Sequence, residues 1–298
     1  MLSPKQTLNV GRKTVRGQSK GCLLGMFDMS SLSQIIEQGI FPGSLTKSTQ
    51  QDLVRIYEDA TVLSCSTPSG YQIGLLFGLR KAIDQSSSTV PETFYLLYFY
   101  GNVMCLEHVR FQFTRFRQLG FNVLIPEYVG YGMSSGVPSE FGCYESADAA
   151  YHYLTQVLHV PPSRIIVGGW SLGAAVAIDL AARKTVAGLV ALCAFTNIVE
   201  QFTTILPRTW ATTLLPLLTE RFDNLSKMQQ IRCPIFISHG MQDEFVPFAM
   251  GEQLHRAVSD QQSVTFLPIE GCGHKDIFDF SILWTGLRDF IKQFVAKY

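Results

Sequence analysis

Apolar residues recur in two alternating patterns along most of the chain. Short runs, either continuous or apolar at every second position, predict strands at Ala60–Cys65, Tyr71–Leu79, Thr93–Tyr98, Phe121–Pro126, Arg164–Val167, Ala187–Ala194, Pro234–His239 and Val264–Ile269. Between them, apolar residues spaced by three and four predict helices over Glu107–Leu119, Glu145–Val157, Ser171–Ala182, Met250–Val258 and Phe278–Ala296. Thr67-Pro68-Ser69-Gly70 has turn chemistry, because Pro fixes φ and Gly accepts positive φ, so the first two strands should form a hairpin. Continuous apolar strands separated by amphipathic helices require a mostly parallel sheet covered on both faces. The expected fold class is therefore α/β, with an antiparallel hairpin at one edge. A helical lead-in over 35–57 is punctured by Gly39, Pro42 and Gly43, which divides the chain into an arm and lead-in, 1–57, and an α/β domain, 58–298.

One stretch breaks the rhythm. Residues 196–231 hold two helical fragments, Ile198–Ile205 and Trp210–Arg221, where one crossover helix would suffice. They read as a small helical lid over the active-site end of the sheet, with an ordinary long crossover as the alternative.

Composition narrows the class. The 298 residues are 47% hydrophobic and only 16% charged, enough for a large core and too apolar for a disordered chain. Lys plus Arg and Asp plus Glu are equal at 24 each, so no global field draws the chain to nucleic acid. The start is uneven: Lys5, Arg12, Lys13, Arg16 and Lys20 occur there without an acid. That arm reads either as a solvated terminus or as a segment making peripheral contact with an anionic membrane surface. The run Cys22–Phe27 is too short for a signal-peptide core or a membrane span. Seven scattered cysteines with no Cys-x-x-Cys pair point away from a zinc ribbon and toward a reducing, cytoplasmic setting.

The sharpest chemical signal is Gly169-Trp170-Ser171-Leu172-Gly173, which follows a predicted strand and opens a predicted helix. That context is what a nucleophile elbow needs: a tight turn that exposes a serine hydroxyl at a helix N-terminus. A serine hydroxyl requires a base to take its proton. Of six histidines, His274 lies in the glycine-rich loop Gly271-Cys272-Gly273-His274 after the last strand, where it can reach the serine. His255 sits within a predicted helix and His239 precedes the acid in chain order. The acid should follow the penultimate strand, which selects Asp243, with Glu244 and Asp276 as rivals. Asp243 would accept the Nδ1 proton of His274 and stabilise the imidazolium. An oxyanion hole needs two backbone N–H donors: Leu172, next after the serine, and Asn102 in the loop after the third strand, with Val103 as the alternative.

With these residues in place, the chain resembles the α/β-hydrolase superfamily over roughly 58–298. More narrowly it is similar to the abhydrolase-domain group that includes depalmitoylases and lysophospholipases. Tyr100-Gly101-Asn102 is similar to that group's His-Gly-Asn turn. Gly130-Tyr131-Gly132-Met133-Ser134-Ser135-Gly136 resembles its Gly-Tyr-Gly-x-Ser-x-Gly loop, and Arg221–Leu225, Cys233-Pro234 and His239-Gly240 with Asp243 resemble its run from lid to acid. Tyr100 replaces the usual His, and Pro126-Glu127-Tyr128-Val129 stands where Asp-Tyr-Arg is common. The resemblance implies hydrolysis of an ester or thioester of a small-molecule or acylated substrate, through an acyl-enzyme on Ser171. No metal or organic cofactor is needed. Tyr100, Trp170 and Val246 would contact substrate, and Ile205, Leu206, Leu214, Leu215 and Leu217 are candidates for an acyl pocket. A peptidase or amidase of the same fold, and a catalytically silent binding protein built on it, are the competing readings.

Overall fold

The computed structural model describes residues 40–81, 94–205, 221–258 and 262–295. The basic arm, the start of the lead-in and residues 206–220, including most of the predicted helix Trp210–Arg221, lie outside them.

All eight predicted strands are present in one sheet: β1 (Thr61–Ser66), β2 (Gln72–Gly78), β3 (Tyr95–Phe99), β4 (Asn122–Pro126), β5 (Ile165–Trp170), β6 (Gly188–Leu192), β7 (Ile235–Gly240) and β8 (Val264–Ile269). Their order is β1-β2-β4-β3-β5-β6-β7-β8. β1 pairs antiparallel with β2, and β2 antiparallel with β4, while every later pairing is parallel. This is the α/β-hydrolase fold, and the sequence reason is direct. Central strands such as β4 and β6 are buried at every position, which only a sheet covered on both faces allows. β1 at the open edge alternates exposed and covered residues instead.

Eight α-helices complete the described structure. They are α1 (Gln50–Ile56), α2 (Arg110–Gln118), α3 (Glu140–His152), α4 (Leu172–Arg183), α5 (Ile198–Ile205), α6 (Asn224–Met228), α7 (Phe248–Arg256) and α8 (Ser281–Phe290). Where their bounds depart from the sequence reading, capping explains most of it. α3 starts at Glu140 rather than Glu145, because Ser139 Oγ accepts the Gly142 N–H at 2.9 Å; such a cap contributes about 1 kcal/mol. The lead-in is not one helix: its described part is a 3-10 turn, Pro42–Leu45, and the short α1, started by a capping box between Thr49 and Asp52. It still joins the core, with Ile40, Phe41, Leu53 and Tyr57 buried. The C-terminal segment, expected as one helix, is a 3-10 turn (Ile277–Asp279), α8, and a π turn (Ile291–Val295).

The strand order reverses beside β3, whose neighbours are β4 on one side and β5 on the other. In parallel sheets such a reversal opens a crevice at the carboxyl ends of the strands, because the connections leave in opposite directions. The loop after β3 carries Asn102, and the loop after β5 carries Ser171.

Candidate active site

Ser171 sits between β5 and α4 with φ +56° and ψ −120°, a conformation an L-residue adopts at a cost of about 1–3 kcal/mol. The flanking glycines explain how the turn closes. A Cβ on Gly169 would lie 2.0 Å from the Gly173 carbonyl oxygen, and one on Gly173 would lie 2.0 Å from the Phe99 carbonyl oxygen. Only hydrogen fits at either place, so Gly-x-Ser-x-Gly is here a packing requirement on the elbow. The turn is tied to the sheet by the Ser171 N–H, which donates to the Leu192 carbonyl at 2.9 Å.

Three side chains distant in sequence meet at this turn. His274 Nε2 is 3.0 Å from Ser171 Oγ, and His274 Nδ1 is 2.7 Å from Asp243 Oδ2. The histidine loop is fixed by its backbone: the His274 N–H donates to Glu244, the Gly273 N–H donates to Asp276, and the His274 carbonyl accepts from Trp170 Nε1. The two rival acids therefore hold the loop, and Asp243 is the carboxylate on the ring. Asp243 is itself anchored by the Phe245 and Val246 N–H groups, at 2.9 and 2.7 Å from Oδ1. Burial raises the Asp243 pKa, but hydrogen bonds from His239 and His274 outweigh it and leave the carboxyl well below the usual carboxylate range.

The Leu172 N–H is at the first position of α4, free of intrahelical partners. Across the crevice, the Asn102 side chain braces its own loop. Its amide donates to the Ile40 carbonyl, and its Oδ1 accepts from Tyr131 Oη at 2.9 Å and from the Val103 N–H at 3.0 Å. The Val103 N–H is thus committed, while no described group accepts from the Asn102 N–H. Of the two donors weighed for that loop, Asn102 is the one left available.

A cleft of about 490 Å³ opens over Ser171 and His274, within the ~300–1,000 Å³ range of small-ligand sites. Ile40, Met104, Phe195, Ile198 and Phe202 make its apolar walls, joined by Trp170, Phe245 and Val246. Tyr100 does not. Its side chain is wholly buried, its hydroxyl donates to Glu127, and its ring packs at 4.6 Å from Tyr128, so the expected substrate contact is corrected to a buried strut. Leu206, Leu214, Leu215 and Leu217 lie outside the described residues, as does the side chain of Ile205.

Three groups escaped the sequence reading. His239 Nε2 is 3.3 Å from Asp243 Oδ2 and 2.9 Å from the Val246 carbonyl, so one imidazole N–H braces both the acid and its loop. Cys193, at φ +47° after β6, is buried against the same carboxylate. Glu127, directly after β4, is fully buried; it accepts from Tyr100 Oη and from the Leu106 N–H at 3.1 Å, and burial pushes its pKa up to about 7. Each is a convergence of separate strand ends. The only signal in the sequence was a polar residue sitting at the end of an apolar run.

An eight-stranded sheet of this order, with a serine on a strand-to-helix elbow hydrogen-bonded to a histidine and that histidine to a carboxylate, has the arrangement of the α/β hydrolases. A sequence profile of the Alpha/beta hydrolase family matches residues 98–226. The chain belongs to this family. It is 33% identical to an uncharacterized protein of Mycobacterium tuberculosis strain H37Rv over 59% of this chain and 61% of that one. It is 32% identical to Alpha/beta hydrolase domain-containing protein 17B of Xenopus laevis over 68% of this chain and 66% of the relative. These matches span about three fifths to two thirds of the relatives' lengths. Among solved structures, an esterase of Pyrococcus furiosus superposes with a TM-score of 0.66 at 17% identity, covering 84% of this chain and 98% of that one.

Proposed function

We propose that the protein is a serine hydrolase that cleaves a carboxylic ester or thioester with an apolar acyl chain, through an acyl-enzyme on Ser171. The observation that carries this reading is the continuous line from Ser171 Oγ through the His274 ring to Asp243, at 3.0 and 2.7 Å, on a backbone turn that holds the hydroxyl toward the cleft. In this reading His274 Nε2 takes the Ser171 proton as Oγ attacks the carbonyl carbon. Asp243 holds Nδ1–H and stabilises the imidazolium, and the N–H groups of Leu172 and Asn102 receive the oxyanion. Loss of one such donor typically costs about 3–4 kcal/mol in the transition state. His274 then protonates the departing alkoxide or thiolate, and water activated by the same imidazole releases the acid. The apolar walls contributed by Met104, Phe195, Ile198 and Phe202 favour an acyl chain over a peptide backbone, which would need polar partners there.

The deciding experiment is labelling with a fluorophosphonate probe, followed by turnover of acyl esters, acyl thioesters and aminoacyl anilides. Labelling of the native protein and none of Ser171→Ala is expected, with esters or thioesters turned over faster than anilides. Absence of labelling, or equal labelling of the variant, would refute the nucleophile, and a preference for anilides would favour the peptidase.

A further inference from the structure

The mechanism leaves the Cys193 thiol beside the site unused. Cys193 follows β6 in the left-handed region, a strained place for a non-glycine residue, and its thiol is fully buried against Asp243. A donor atom from each of Cys193, Asp243 and His274 lies within 4.8 Å of the others. Sulfur, carboxylate oxygen and imidazole nitrogen are the ligand types that zinc takes, at about 2.3, 2.1 and 2.0 Å. A tetrahedral ion with such bonds spaces its ligands ~3.4 Å apart, so the three side chains need shift only by fractions of an ångström to a little over one.

We propose that Cys193 Sγ, Asp243 and His274 Nδ1 form an inhibitory site for a soft or borderline divalent cation of the zinc class. The inference concerns regulation of the site assigned above and, for its inhibitory effect, rests on that assignment. The ion takes the place of the proton shared by His274 Nδ1 and Asp243 Oδ2, and water completes the shell. The imidazole then carries its single proton on Nε2, 3.0 Å from Ser171 Oγ. Nε2 becomes a donor and cannot accept the serine proton, so the general base is lost without any blockage of the cleft. The balance is simple. The thiol gives up its proton to solvent, the imidazole proton moves from Nδ1 to Nε2, and one proton leaves per ion bound. Hard cations such as Mg²⁺ prefer all-oxygen shells and discriminate against this set. His239, whose Nε2 also faces Asp243 and whose Nδ1 is buried without a hydrogen-bond partner, and the buried Cys272 thiol, close enough to interact electrostatically with both Asp243 and Cys193, are the other titratable groups about the acid. Glu244 and Asp276 face the backbone of the His274 loop.

The test uses the full chain and buffered free Zn²⁺. Reversible inhibition relieved by a chelator is expected, with Mg²⁺ inert. Each variant is scored against its own metal-free rate. Cys193→Ala and Cys193→Ser should raise the midpoint at least about tenfold, whereas Cys105→Ala should not, although Cys105 Sγ lies 3.2 Å from His108 Nδ1. Wild-type sensitivity in both Cys193 variants would overturn the proposal. A second arm needs no catalysis: Ser171→Ala titrated with Co²⁺ should develop thiolate-to-cobalt charge-transfer absorption, lost on further Cys193→Ser substitution. Cobalt absorption in the variant, with no ester or thioester turnover and no fluorophosphonate labelling of the native protein, would preserve the metal site and sink the hydrolase reading. Activity without a Cys193-dependent metal effect would do the reverse.

Discussion

Replacing Glu127 by glutamine should change how the protein's stability depends on pH. Glu127 is buried with no exposed surface, and burial raises its pKa from the ordinary 4.5 to about 7. The native state therefore holds the Glu127 proton more tightly than the unfolded chain does. The stabilising contribution of that proton is complete below the unfolded value of 4.5 and disappears as pH rises through about 7. At ~1.4 kcal/mol per pH unit the full loss is ~3 kcal/mol, of which ~2.5 kcal/mol falls between about pH 5 and pH 8. Glutamine keeps the oxygen that accepts from Tyr100 and Leu106 but does not titrate. Urea unfolding of both proteins, followed by circular dichroism across that range, isolates the effect because all other titrating groups are shared. The stability of the native protein relative to Glu127→Gln should fall by ~2–3 kcal/mol from the acid to the alkaline end. A difference that stays constant to within ~0.5 kcal/mol would mean that the carboxyl is not the desolvated acid described, since no other group can mask it.

Four further outcomes follow from the site. Asp243→Asn removes the carboxylate that selects the His274 tautomer, so kcat should drop by about 10⁴ with KM little changed; a fall of less than about tenfold would rule out that role. The same variant reports on acid stability: because the Asp243 carboxyl titrates below its usual range when folded, its contribution is present above about pH 4 and is lost on acidification, so the native protein should lose ground to the variant as pH falls. Asn102→Ala frees Tyr131 Oη and the Ile40 carbonyl and loosens the loop bearing one oxyanion donor; up to ~10²-fold lower kcat is expected, with the fold unchanged by circular dichroism. Ile198→Trp or Phe202→Trp narrows the apolar side of the cleft, so kcat/KM for long-chain acyl esters should fall at least about tenfold relative to acetyl esters, and an unchanged ratio would place the acyl chain elsewhere.

The site was legible in sequence where local chemistry and topology act together. Gly169 and Gly173 announce the elbow because nothing larger fits beside Ser171, and chain order then leaves few histidines and acids to choose from. The strands were legible because their apolar runs are continuous. Local signals failed where a residue's partner lies far away in sequence. Tyr100 was expected to contact substrate from the resemblance of Tyr100-Gly101-Asn102 to a His-Gly-Asn turn, but the partner that settles its direction is Glu127, at the end of a different strand. His239 was set aside by chain order, yet it braces the acid from behind, through an imidazole N–H also bound to the Val246 carbonyl. The start of α3 was missed because Ser139 and Glu140 follow a glycine- and proline-rich loop and read as part of it. Their side chains instead cap the helix and receive the Arg221 and Phe222 N–H groups.

The hydrogen-bonded line Ser171–His274–Asp243 and much of the apolar wall of the cleft belong to different parts of this molecule. Ser171, Asp243 and His274 stand at the ends of β5, β7 and β8, where backbone ladders fix them, whereas much of the cleft wall comes from Ile40 in the lead-in and from α5. Selection can therefore reshape the cleft wall at the lead-in and α5 without moving Ser171, His274 or Asp243. Such change leaves the sheet ladders intact, because neither segment contributes a strand, but Ile40 and Ile198 are buried, so each replacement there must keep the packed volume.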